Sequence, residues 1–152
     1  MPAPTDINHK ILSSIRTLLM LFADLTASVS DRITPNQFAG ADQQQPSVML
    51  ELRDCQQQNT IDRSGCLITG TLVITIRTKD DLLCDQLAEI IRTNGTSPST
   101  GLDGYSGSAG TGQLISAERT DFDTAIVFDD DGDETDLYDS VQLYRIHYAM
   151  TA

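Results

Sequence analysis

A chain of 152 residues is the length of one ordinary domain, so a single unit over 1–152 that buries roughly two-thirds of its unfolded surface is the expectation. Hydrophobic residues make up 39% and aromatics 5%, with no Trp, so the interior has to be built from Leu, Ile and Val. Ten Lys and Arg against 22 Asp and Glu leave a formal charge of −12, which excludes a protein that grips nucleic acid through its phosphates.

The first periodic segment is Ile7, Ile11, Ile15, Leu18, Leu19, Phe22 and Leu25. Steps of three and four residues predict one amphipathic helix starting near Thr5 or Asp6, its apolar stripe covering a sheet. The run Ile15 to Leu25 is broken by Arg16, Thr17 and Asp24, too short and polar for a bilayer, so no membrane is expected. Nor does a cationic leader precede it, and folding in a cytoplasm is the expectation. Asp31-Arg32-Ile33-Thr34-Pro35 then reads as an ordered turn, and Asn36 to Gln45 as an aperiodic polar loop.

Pro46 opens an alternating run in which Val48, Leu50 and Leu52 share one face, the pattern of a half-buried strand. A second and clearer strand begins at Cys66, with Ile68, Leu72, Ile74 and Ile76 on one face and Leu67, Thr69, Thr71, Val73, Thr75 and Arg77 on the other. The two predict a hairpin whose polar tip is Gln56 to Gly65. Thr78 with Asp81 three residues on resembles a capping box, and Leu83, Leu87, Ile90 and Ile91 stripe the helix that follows. Arg92 and Gly95 mark its end.

Thr96 to Gly112 is rich in Gly, Ser and Thr and reads as a long exposed connection. Two short strands, Leu114–Glu118 and Phe122–Phe128, and a long one, Leu137–Ala149, complete the chain. The expected fold class is α+β: a mainly antiparallel sheet of four to five strands, with two amphipathic helices packed on one face.

Little in the chain supports catalysis. His9 and His147 have no nucleophile or carboxylate at a suggestive spacing. Cys55, Cys66 and Cys84 are odd in number and lack metal-ligand spacing, so free thiols are expected, and no cofactor. Asp129-Asp130-Asp131-Gly132-Asp133 could gather oxygen ligands, making Asp129, Asp131 and Asp133 weak candidates for Ca²⁺. An EF-hand counted from Asp129 would need Gly at 134 and Glu at 140, where the chain has Glu134 and Ser140. A solvated acidic turn fits better. The glycines from 101 to 112 lead into a strand with no P-loop lysine, so they do not predict a nucleotide site.

The order of short motifs is more telling than any one of them. A helix over Asp6 to Leu25, Val29-Ser30-Asp31-Arg32-Ile33-Thr34-Pro35, the Pro46-led strand, and Leu102-Asp103-Gly104-Tyr105-Ser106-Gly107 after the second helix together resemble the tail-completion (tail-terminator) family of tailed bacteriophages. The resemblance implies a non-enzymatic virion protein of the neck, assembled in the host cytoplasm. It also implies a hexameric ring that caps the tail tube, meets the connector on its other face and lets DNA pass through its lumen. Asp31, Arg32, Gln57, Asn59, Arg63, Leu102, Asp103 and Tyr105 are the interface candidates that follow. A head-closing connector and a small Ca²⁺-binding module using residues 129–136 are the alternative expectations.

Overall fold

The computed structural model describes residues 4–36, 46–59, 65–110 and 112–151. Three helices lie against one face of a sheet ordered β1-β2-β3-β6-β5-β4. The strands are β1 (Ile33–Pro35), β2 (Ser47–Asn59), β3 (Gly65–Thr78), β4 (Gly107–Ala109), β5 (Gly112–Phe128) and β6 (Glu134–Thr151). All neighbouring pairs are antiparallel except β1 with β2. The fold is thus α+β, with six strands and three helices among the described residues where four to five strands and two helices were expected.

The additional elements come from tertiary pairing that periodicity does not encode. β1 and β4 are three-residue edges lying in segments read as a turn and a loop. The two short strands expected over 114–128 form one strand, because register shifts at Leu114/Ser116 and Arg119/Asp121 absorb the interrupted alternation as bulges. The polar run Gln56–Asn59, expected in a hairpin tip, stays in the ladder opposite Thr69 to Cys66.

The first apolar stripe is all core, since Ile7, Ile11, Ile15, Leu18, Leu19, Phe22 and Leu25 are each buried. It belongs, however, to two helices, α1 (Pro4–Leu19) and α2 (Ala23–Val29), whose axes differ by 101°. Between them the chain tightens: Leu21 N–H donates to Leu18 O and Phe22 N–H to Leu19 O, both at 3.0 Å. Leu21 turns out to solvent. Asp24, just past the bend, accepts from Thr96 N–H and Oγ at 2.7 and 2.8 Å, which holds its carboxyl below the usual range. No single helix among the described residues is long and apolar enough to cross a membrane.

α1 touches both edge strands, β1 and β4, while α3 (Asp81–Thr93) lies on β3, β6 and β5. The sheet therefore curls around the helical layer. Its inner face supplies Val48, Leu50, Ile68, Leu72, Ile74, Ile76, Tyr144, Ile146 and Tyr148 to one hydrophobic cluster. Each such burial contributes about 1.5–3 kcal/mol. The start of α3 differs from the expected box: Asp80 is the cap, accepting from Leu82 N–H at 3.0 Å. Thr78 Oγ instead donates to Asp80 O and lies 3.2 Å from Cys84 Sγ.

Candidate assembly interface

The Asp31–Pro35 turn is held by guanidiniums acting on the main chain. Arg16 donates to Ile33 O at 2.6 Å and to Asp31 O at 3.1 Å. Arg32 donates to Pro46 O at 2.9 Å and to Ser28 O at 3.1 Å. Arg32 thereby locks α2 to the start of β2, so both arginines are occupied in positioning the parallel β1–β2 pair.

The connection that follows α3 is exposed over Thr96 and Pro98 to Thr100, as expected, but Gly101 to Tyr105 fold back onto the helix. Leu102 is fully buried, its N–H donates to Ile91 O at 2.9 Å, and Gly104 N–H donates to Ala117 O at 2.7 Å. Gly101 is required here, since a Cβ at that position would run into the Arg92 carbonyl. Asp103 accepts from Arg119 N–H at 3.1 Å and stands 3.9 Å from the Arg92 guanidinium. Glu89 accepts from Arg92 at 2.7 Å and from Arg119 at 3.1 Å, and these bonds, Arg92's first, hold its carboxyl below the usual range. Tyr105 donates from its hydroxyl to Ser108 O at 2.6 Å. Leu102 and Asp103 thus join α3 to β5, while Tyr105 ties the segment to β4.

These bonds also treat the flank of β5 that β4 leaves bare beyond Leu114. Asp103 takes the Arg119 N–H, while the carboxylates of Asp121 and Asp123 take the N–H groups of Phe122 and Thr124 at 2.8 and 2.9 Å. With three register shifts besides, the strand is poorly suited to uncontrolled edge pairing. Contacts made by this protein are better sought on its faces and tips.

The other candidates lie apart. Gln57 is exposed near the far end of β2, distant along that strand from the Asp31–Arg32 turn; Asn59 ends the strand, and Arg63 lies outside the described residues. The acidic turn closes the β5–β6 hairpin. There the Asp129 carboxylate accepts from Asp131 and Asp133 N–H at 3.0 and 2.9 Å, while Gly132 takes φ +82. Asp129 is thus committed to the turn's own backbone, and no group of three or more candidate ligands occurs among the described residues.

The three cysteines are free. Cys66 pairs with Asn59 in register, whereas Cys55 sits in the Arg53/Gln56 bulge against Gly70, so the two do not face each other. Burial pushes all three thiols up, Cys84 also lying between the carbonyls of Ile76 and Tyr138.

Two side chains that the motifs did not single out stand out in three dimensions. Phe128 is 58% exposed at the turn. Arg145 is exposed on the outer sheet face opposite Glu118 and Thr71. In sequence Phe128 reads only as the end of an alternating strand; its position directly before a run of aspartates is the signal that sets it apart.

No family model matches the sequence, and no curated protein matches it. Among solved structures, the chain is similar to one in the virion of a native gene transfer agent particle. The TM-score is 0.50 at 12% identity, covering 90% of this chain and 92% of that one. What the two share is a fold.

Proposed function

We propose that this chain is a structural protein of a phage-like virion, a ring at the head-tail junction that ends tail-tube growth and meets the connector. The observation that carries the reading is the likeness of fold, along nearly the whole of both chains, to a component of a gene transfer agent virion. The order of the V-x-D-R-I-x-P and L-D-G motifs supports the tail-terminator role within that class. The mechanism is geometric: one face of the ring matches the tube's end and the other lacks the surface that would accept another layer. A charge of −12 suits a lumen through which DNA passes without adhering.

Native mass spectrometry and negative-stain microscopy of the purified protein, alone and with tail-tube subunits, test the proposal. Closed rings that cap tube ends are the expected result. A protein that stays monomeric in both settings, or that binds portal rings and not tube ends, would overturn the terminator role.

A further inference from the structure

The inner face of β6 carries a polar row beneath α3. Ser140 and Gln142 lie two residues apart on one side of the strand and both are fully buried. Yet Ser140 Oγ and Gln142 Nε2 meet no hydrogen-bond partner among the described residues. Buried polar groups are nearly always paired, so two orphans side by side call for a shared partner. Turning the Gln142 amide over does not remove the second one. Its Oε1 now accepts from the Tyr144 hydroxyl at 2.8 Å; reversed, the same hydroxyl would accept from Nε2 and Oε1 would be stranded instead.

The helix above supplies the room. Cys84 Sγ lies 3.5 Å from Ile76 O and 3.3 Å from Tyr138 O, and Ile76 is the partner of Ser140 on β3. The first turn of α3 is thereby seated beside Ser140. Further along, Glu89 accepts from Arg119, the partner of Tyr144 on β5. Between these two fixed points, one turn past Cys84 on the same stripe, stands Ala88, fully buried. A methyl therefore covers the interval that a longer side chain would fill. On the β5 side Thr124, opposite Ser140, donates to Asp85 of α3 at 2.7 Å. On the β3 side Ile74 and Ile76 close the row.

We infer that this row is a binding site for one internal water molecule, which accepts from Gln142 Nε2, bonds to Ser140 Oγ and donates to Thr124 Oγ. Three bonds are typical of a buried water. Thr124 spends its own proton on Asp85 and keeps its lone pairs, so it can take the water's. The result is a continuous chain from the Asp85 carboxylate through Thr124 and the water to Gln142 and Tyr144. It ties α3 to β5 and β6 by directional bonds, where Leu87 and Ile91 hold the helix only by apolar contact. The site belongs to the fold of the single chain and does not depend on the ring reading above.

Oxygen-17 relaxation dispersion of water, measured on the full chain, counts long-lived internal waters and is blind to hydroxyl proton exchange. The double variant Ser140→Ala, Gln142→Leu should hold one fewer than the wild type, with circular dichroism establishing that it is folded. In methyl-labelled wild type the Ala88 methyl should show a rotating-frame Overhauser contact to water, and that contact should vanish in the same variant. Ser140→Ala alone removes one of the three bonds and should shorten the water's residence time roughly ten-fold; this milder change carries the comparison if the double variant does not fold. A wild type with no long-lived water at Ala88 would overturn the inference, as would equal counts in the wild type and the folded double variant, or a residence time that Ser140→Ala leaves unchanged.

Discussion

The two ends of the β5–β6 hairpin are built on opposite terms. At the Gly112 end the strands are flanked by β3 and β4, and Tyr148 is buried with its hydroxyl donating to Ala109 O at 2.8 Å. At the Phe128 end the ladder continues with no third strand and an aromatic ring faces solvent. The first arrangement serves folding, since its residues gain their stabilisation within the chain. The second contributes little to folding, since Phe128 stays 58% exposed and a two-stranded ribbon is marginally stable by itself. Substitutions at the two ends should therefore differ widely in their effect on stability.

The largest expected effect is Tyr148→Ala, which empties a fully buried site and strands the Ala109 carbonyl; a loss of about 4 kcal/mol is expected from urea unfolding. Next comes Gly101→Ala, where the added methyl meets the Arg92 backbone. A cost of about 2 kcal/mol is expected, with residues 102–105 losing amide-exchange protection before the rest of the sheet. If Gly101→Ala were neutral, the packing of that segment on α3 would be wrong.

Asp129→Ala removes the acceptor of two turn N–H groups and should cost about 1 kcal/mol. Amide exchange at Asp131 and Asp133 is the direct readout. Smaller again is the acid sensitivity of Glu89 and Asp24, whose folded pKa values are depressed, Glu89 chiefly by Arg92 and Asp24 by the Thr96 N–H. A depressed carboxylate stabilises fully above its unfolded value, about 4, and the contribution is lost as pH falls from there through the folded value. Glu89→Gln should flatten that part of the profile in thermal unfolding, whereas an unchanged profile would remove Glu89 from the account.

What the chain's order of residues revealed, and what it hid, follows the same division. Ile7 to Leu25 and Ile68 to Ile76 announce their buried faces because burial there is set by local period. The 101° bend at Met20–Phe22 carries no Pro or Gly, and the period runs through it unbroken; it depends on partners such as Thr96, 72 residues from Asp24. Leu102 was legible as part of a motif but not as core, since its burial depends on the carbonyl end of α3. Of the interface candidates, Leu102, Asp103 and Tyr105 come together and Asp31 with Arg32 lies elsewhere. Phe128 and Arg145 escaped notice because exposure is a property of the assembled sheet.

The smallest expected effect on stability is also the most discriminating. Phe128 has shed little of its surface to the rest of the chain, so Phe128→Ser should alter unfolding free energy by no more than about 0.5 kcal/mol. If the ring were instead packed against its own sheet in solution, the same change would cost about 3 kcal/mol, as for a buried aromatic. Equilibrium urea unfolding below the concentration at which copies associate separates these outcomes. A near-zero result sets the Phe128 end apart from the stability of the fold, whereas a large one places Phe128 with Tyr148 among the residues that hold it.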